Sequence, residues 1–167
     1  NPANWNNEIG LPVTLLRLRP QHEIAVLEMG FYTIGEIALL ARLARPSIGV
    51  VTAVRGVHLS RAGSIEAIEV GKRELVEALP PEGWAILNAD DARVMRMASH
   101  TPASVLTYGF GAGAEVRATD VTSLGTAGMC FRLQVRGESR VVESPILGRH
   151  GVHNALAAVA VASCAGM

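Results

Sequence analysis

Lys72 is the most unusual side chain among those that could carry out chemistry. Lysine and arginine together number 15, and this residue is the one lysine among them. A coding bias towards arginine explains the general pattern but leaves open why one position kept an amine. A lysine on a partly apolar helix face can also be structural, with its stem packed and its head group in water.

Three further polar sites follow predicted strands. Glu28 ends the apolar run 22–30, His58 follows the next predicted strand, and the segment 88–91 (Asn-Ala-Asp-Asp) follows a third. Ligands of open parallel sheets bind beyond the carboxyl ends of the strands, so Glu28, His58 and Lys72 could converge on one rim. Each site also has a structural interpretation: a carboxylate at a strand end often forms a salt bridge, and 88–91 is a good helix N-cap.

The sequence contains no Walker-type phosphate loop around its one Gly-Lys pair, Gly71-Lys72. Such a loop needs glycine where Glu66 stands and serine or threonine where Arg73 stands. The pair also falls within a predicted helix, so any phosphate cradle for ATP would lie elsewhere. Zinc is not expected, because the cysteine and histidine residues are scattered without the paired spacing of zinc ligands.

The elements that must position these residues follow from hydrophobic periodicity. Compact apolar runs predict four strands, at 22–30, 47–54, 84–88 and 104–108. Apolar residues spaced three or four apart predict helices at 34–45, 64–79 and 90–99, and a short helix is predicted over 13–18. This alternation predicts an α/β fold with a mostly parallel sheet flanked by helices.

The pattern changes after residue 114. From 114 to 145, apolar and polar residues alternate between glycine-containing turns, which predicts a small antiparallel β unit of about three strands. An alanine-rich helix beginning near Gly151 is predicted to follow. We interpret 1–167 as one domain, with the antiparallel unit as a subregion within it.

Composition excludes several classes of protein. Hydrophobic residues make up 49% of the chain and charged residues 18%, which is too apolar for disorder and sufficient for a sizeable core. The formal net charge of zero gives no electrostatic basis for binding nucleic acid or an anionic membrane. The longest apolar run, 155–167, is shorter than the roughly 20 residues that a bilayer-spanning helix needs.

The N-terminus and the cysteines bear on the protein's location. The N-terminus shows no signal peptide, and two cysteines are too few for a disulfide framework. Together these features predict a cytoplasmic protein. Because the chain does not begin with methionine, we interpret it as a piece of a longer protein.

Five motifs follow one another along the chain. They are NWNNEIGLPVTLLRL at 4–18, AVLEMG and the segment after it at 25–54, HLSRAGSIEAIEVGKRELVEALP at 58–80, ILNADD at 86–91 and GRHGVHNALAA at 148–158. Together they resemble the central, ATP-binding domain of the Mur ligase family, which has a P-loop NTPase-like fold. The resemblance covers nearly the whole chain, and the NNEIG segment favours the MurF type within the family.

The resemblance implies an ATP-dependent ligase of peptidoglycan synthesis. In such enzymes ATP phosphorylates a substrate carboxylate, and an amine then attacks the acyl phosphate to form an amide. The MurF type adds D-alanyl-D-alanine to a UDP-N-acetylmuramoyl-tripeptide, a step in cell-wall biogenesis that supports cell shape and cell division. The enzyme expected from this resemblance is a cytoplasmic monomer, with neither nucleic acid nor membrane as a partner.

The resemblance also implies a catalytic magnesium site. Glu28, His58 and Lys72 match the family's metal-binding residues, and Lys72 matches a lysine that reacts with CO2 to become a carbamate. Carbamylation would turn a cation into a carboxylate-like ligand for Mg2+. It would also explain why arginine does not replace this lysine, since a guanidinium stays protonated.

Four further residues match substrate-binding positions of the family. His150 and Asn154, in an H-x-x-x-N pattern, match the ATP-binding positions, with Asn154 reading the adenine edge. Asn6 and Asn7 match a loop beside the UDP-sugar-peptide and the phosphates. The family's phosphate loop would lie just before residue 1 and its C-terminal domain after residue 167, so the isolated chain is predicted to be inactive.

Two other functions stay open at this point. Another Mur-like amide ligase, of the folylpolyglutamate or cyanophycin type, would use the same chemistry on a different substrate, although the NNEIG segment argues against it. A non-catalytic α/β binding module would use the same residues structurally.

Overall fold

One six-stranded sheet organises the chain in a computed structural model, which describes residues 1–56 and 63–167. The strands are β1 (Ile48–Val51), β2 (Trp84–Asn88), β3 (Ser104–Gly109), β4 (Val116–Ser123), β5 (Met129–Val135) and β6 (Glu138–Ser144). They lie side by side in chain order. The pairs from β1 to β4 are parallel, and those from β4 to β6 are antiparallel. The predicted fold class is confirmed, and the antiparallel strands continue the main sheet through β4.

Five α-helices lie within the described residues, and two of them begin at a residue whose side chain caps their first turn. They are α1 (Gly10–Leu15), α2 (Glu36–Ala44), α3 (Ile65–Glu77), α4 (Ala92–Arg96) and α5 (Gly148–Cys164), with short 3-10 turns at Met97–His100 and Gly125–Ala127. Ser64 caps α3 and Asp91 caps α4. The first helix starts earlier than the predicted 13–18, because Asn7 Oδ1 accepts from the N–H groups of Ile9 and Gly10.

Helices cover both faces of the sheet. On β2, Ala85 and Leu87 belong to a core shared with α3 residues such as Ile68, whereas Ile86 belongs to a second core shared with Leu156 of α5. Successive side chains of a strand point to opposite faces. A strand that is buried on both faces therefore shows a continuous apolar run, as β2 does.

The prediction of a strand at 22–30 is wrong for the described structure. This segment forms no strand, and Val26 is 81% exposed. Its backbone contacts come from the N-terminal segment: the Asn1 side chain bonds both backbone groups of Glu28, and Gly30 N–H donates to Asn6 O. Apolar composition alone does not make a strand, because a strand needs a partner that forms a continuous ladder, and in the described part 22–30 has only isolated backbone contacts.

His58, predicted as a metal ligand, lies outside the described residues. Among the helices that the structure describes, none is long and apolar enough to cross a membrane.

Candidate active site

The loop after β1 is hydrogen-bonded to the end of β2 and to the segment that follows it. Asn88 is buried, and its Nδ2 donates to Thr52 O at 2.7 Å. Asp91 Oδ2 accepts from Val54 N–H at 3.0 Å, while its other oxygen caps α4. Because β1 and β2 are parallel, these contacts lie at the carboxyl edge of the sheet. The structural interpretation of 88–91 is thus confirmed, and the segment also builds the rim of the site.

Lys72 reaches this rim from α3. Its Nζ donates to Ala53 O at 2.9 Å, in the loop that Asn88 and Asp91 hold. Burial lowers the pKa of Lys72, and the nearby Asp91 carboxylate opposes part of that shift. A lowered pKa increases the neutral fraction of the amine, and the neutral form is the nucleophilic one.

Close packing brings the segment after Glu28 against the helix that carries Lys72. The Phe31 ring is buried and occupies the place where a side chain on Gly71 would begin. Met29 packs against the same core. The glycine in mid-helix therefore permits this contact, and residues 29–31 lie beside the turn of α3 that contains Lys72.

Glu28 lies in contact with a residue predicted to be near the substrate. Its Oε1 accepts from Asn6 Nδ2 at 2.8 Å, across 22 residues of sequence. Asn1 and Asn6 also bond the backbone of this segment. The structure thus brings Glu28 and Asn6 together, whereas Asn7 turns its oxygen towards the start of α1.

The predicted magnesium set stays a prediction. Within residues 1–56 and 63–167, no three His, Cys, Asp or Glu side chains are clustered closely enough to hold a metal ion. The predicted set takes His58 from outside that part and needs Lys72 in a modified form. What the structure provides is an exposed carboxylate, Glu28, and an amine at the sheet edge.

A second cluster joins the ends of β2 and β3 to α5. Asp90 accepts hydrogen bonds from Phe110 N–H at 2.7 Å and Gly111 N–H at 2.9 Å, and His153 Nε2 lies 3.2 Å from the same carboxylate. Burial alone would raise the pKa of Asp90, but these three hydrogen bonds together lower it. The predicted ATP-binding residues His150 and Asn154 are exposed on the same helix.

Sequence reasoning missed the contact of Asp90 with His153. Both residues stand inside motifs, ILNADD and GRHGVHNALAA, which was the available signal. They are 63 residues apart, however, and no local spacing links them. Only the arrangement of β2, β3 and α5 brings them together.

The described architecture is matched by known proteins over nearly its full length. The family model for the Mur ligase middle domain matches residues 1–162. The UDP-N-acetylmuramoyl-tripeptide–D-alanyl-D-alanine ligase of Synechocystis is 40% identical over 166 residues, which are 99% of this chain and 34% of that protein. A crystal structure of MurF from Acinetobacter baumannii superposes with a TM-score of 0.92 at 31% identity, covering 99% of this chain and 36% of that one. The structure of MurF ligase from Thermotoga maritima in complex with ADP superposes with a TM-score of 0.88 at 25% identity. That match covers 99% of this chain and 38% of the Thermotoga chain. The chain thus spans about a third of the length of these relatives.

Proposed function

The chain belongs to the Mur ligase family through its middle domain, and on that premise we propose that it is the ATP-using part of a peptidoglycan ligase. The enzyme would join D-alanyl-D-alanine to a UDP-N-acetylmuramoyl-tripeptide, as the names of its relatives state for them. The observation that carries this proposal is Lys72, the one lysine of the chain, held partly buried at the carboxyl edge of a sheet with that family's fold.

The proposed reaction has two steps. The terminal carboxylate of the tripeptide attacks the γ-phosphorus of ATP, which forms an acyl phosphate and releases ADP. The amine of D-alanyl-D-alanine then attacks the acyl carbon, inorganic phosphate leaves, and the amine proton passes to solvent. Both steps concentrate negative charge on phosphoryl oxygens, so the site needs cationic groups placed in advance.

Magnesium is the proposed source of that positive charge. Whether these residues can bind Mg2+ depends on the chemical form of Lys72. Hard cations prefer oxygen ligands. Glu28 offers carboxylate oxygens, whereas the Lys72 ammonium offers none. As a carbamate, Lys72 would supply the missing oxygens, and the ion bound there would screen the charge of the phosphates.

Carbamylation of Lys72 is consistent with its surroundings. The neutral amine attacks CO2, an N–C bond forms, and one amine proton is released to water. Burial lowers the pKa of Lys72 and so favours the neutral amine that this reaction requires. On this proposal position 72 needs lysine for its chemistry, because arginine could donate a hydrogen bond but could not become a carbamate.

Substrates are proposed to lie on either side of this lysine. Asn154 and His150 are exposed on α5 and would contact ATP, with Asn154 at the adenine edge. Asn6, bonded to Glu28, and its neighbour Asn7 would lie beside the UDP-sugar-peptide and the phosphates. We further propose that the enzyme is a cytoplasmic monomer.

The full-length protein tests this proposal in a ligation assay. With ATP, Mg2+ and UDP-N-acetylmuramoyl-tripeptide, phosphate release should require D-alanyl-D-alanine and should match the amide formed. Glutamate with a folate acceptor, and the amino acids of cyanophycin, serve as alternative substrate pairs. Turnover with one of those pairs alone would assign another amide ligase, and failure to bind ATP would indicate a binding module.

A further inference from the structure

Asp90 holds three separate elements together beyond the carboxyl end of β2. Its oxygens accept from the N–H groups of Phe110 and Gly111 at 2.7 and 2.9 Å, and His153 Nε2 lies 3.2 Å from Oδ2. An ionised carboxylate can only accept, so with Asp90 ionised this hydrogen bond requires a proton on His153 Nε2. A Cβ on Gly109 would lie 2.7 Å from Asp90 Oδ2, so glycine there permits this close approach.

The His153 ring also contacts two aromatic rings. Its centroid lies 5.0 Å from that of Tyr108, which is fully buried, and 5.4 Å from that of Phe110. The His153 side chain is only 17% exposed. The Arg149 guanidinium lies over the Phe110 ring, 4.2 Å from its centroid. Packing and hydrogen bonding therefore leave the imidazole little freedom to turn.

The restrained His153 ring lies next to the predicted ATP-binding residues of α5. His153 is adjacent to Asn154 and one turn after His150, so fixing its ring fixes the rotation of the first turns of the helix about their axis. We propose that Asp90 and His153 are a positioning pair that aims the nucleotide-facing edge of α5. This proposal rests on the proposed function, because it takes Asn154 and His150 as ATP contacts.

The neighbouring acid makes this pair part of the lysine site. Asp91 accepts from Val54 N–H, and its charge opposes the effect of burial on the pKa of Lys72. Asp90 instead contacts His153 of α5. The two consecutive carboxylates therefore connect the loop that binds Lys72 with the helix that would bind ATP. Loss of the Asp90 contact should impair nucleotide binding first, and binding of the amine substrate little or not at all.

The test uses the full-length protein and measures its affinity for ADP by calorimetry, beside the KM of each substrate. His153→Ala should weaken ADP binding and raise the KM for ATP by about tenfold, with the other two KM values within twofold of wild type. His153→Gln places an amide N–H near the position of Nε2 and should restore most of the affinity. Arg96→Ala is the matched control, because it removes a bidentate pair with Glu69 that also joins two elements.

The outcomes separate this proposal from the proposed function. Equal changes in all three KM values, or a loss of thermal stability without a change in ADP affinity, would overturn the positioning role. If His153→Ala fails to fold, His153→Gln and Asp90→Asn test the positioning role instead. His153→Gln should bind ADP well, and Asp90→Asn should bind it poorly. A wild-type protein that binds ADP but does not use the tripeptide would refute the proposed substrate, while the ADP affinities would still decide on the pair. A wild-type protein that binds no ADP would overturn both.

Discussion

Lys72 combines a reactive amine with a fixed position. Its hydrogen bond to Ala53 O at 2.9 Å holds the end of a flexible side chain, and burial lowers its pKa. An arginine at this position would keep a positive charge but could not become a carbamate. We therefore propose that Lys72 acts as its carbamate.

The substitution Lys72→Arg should abolish ligation by the full-length protein while changing the free energy of unfolding by no more than about 1 kcal/mol. With 13C-labelled CO2, the wild-type protein should show a carbamate resonance by NMR that the variant lacks. Arg73→Lys is the matched control, because Arg73 forms a surface pair with Glu77 on the same helix. A variant that retains more than a tenth of wild-type activity would contradict the role of Lys72.

Asp90 should make the stability of the protein depend on pH in the acid range. Its hydrogen bonds lower its pKa in the folded protein despite burial, so its stabilising effect is complete above the unfolded pKa of about 3.9. That effect is lost as the pH falls through the lower folded pKa. Asp90→Asn should therefore be less stable than wild type at pH 7, with the difference shrinking near pH 3.

Urea denaturation of both proteins across that pH range measures the effect. Asp120→Asn is the control, because Asp120 is an exposed acid paired with Arg132. A difference between wild type and Asp90→Asn that stays constant from pH 7 to pH 3 would show that the charge of Asp90 does not account for the effect.

Helix α3 packs against the Phe31 ring at Gly71, and the sequence of the helix does not predict this contact. Glycine in mid-helix costs about 1 kcal/mol relative to alanine, which taken alone predicts that Gly71→Ala is stabilising. The Phe31 ring occupies the required space, however. Gly71→Ala should therefore destabilise the protein by about 1–3 kcal/mol.

A double-mutant cycle in chemical denaturation checks this contact. With Phe31→Ala in place, Gly71→Ala should become neutral or stabilising, because the overlap is removed. The two substitutions would then couple strongly. Additive effects, or a stabilising Gly71→Ala in the presence of Phe31, would show that the ring does not restrict position 71.

Sequence patterns predicted the elements better than they predicted the contacts between them. Strands β2 and β3 were found because burial on both faces leaves compact apolar runs. The run 22–30 is also rich in apolar residues but forms no strand in the described structure, since strand formation depends on a partner backbone that composition does not encode. The Asp90–His153 and Phe31–Gly71 contacts were not predicted either, because each joins residues far apart in sequence.

The described sheet places two sets of polar residues at one edge. Strands β1, β2 and β3 are parallel and in register, so the loop that binds Lys72 and the cluster around Asp90 follow the same ends of neighbouring strands. Ligands of open α/β sheets bind at such an edge. This arrangement supports the proposal that Lys72 and helix α5 serve one reaction.

Residues 1–167 expressed alone should not catalyse ligation. Their sequence carries no Walker-type loop, and they span about a third of the relatives' length. A cradle of backbone N–H groups and a lysine for the phosphates would therefore have to come from elsewhere. A coupled ADP-release assay, with the full-length protein as the positive control, checks this expectation, and robust turnover by the 167 residues would contradict it.

We propose that this domain serves a ligase that works through an acyl phosphate. The most direct test labels the terminal carboxylate of the tripeptide with 18O and analyses the inorganic phosphate formed by the full-length protein. Because the carboxylate oxygen becomes the bridge to phosphorus, we predict one 18O atom in phosphate for each amide bond made with D-alanyl-D-alanine. Amide formation with unlabelled phosphate, or phosphate release that does not depend on D-alanyl-D-alanine, would contradict this mechanism.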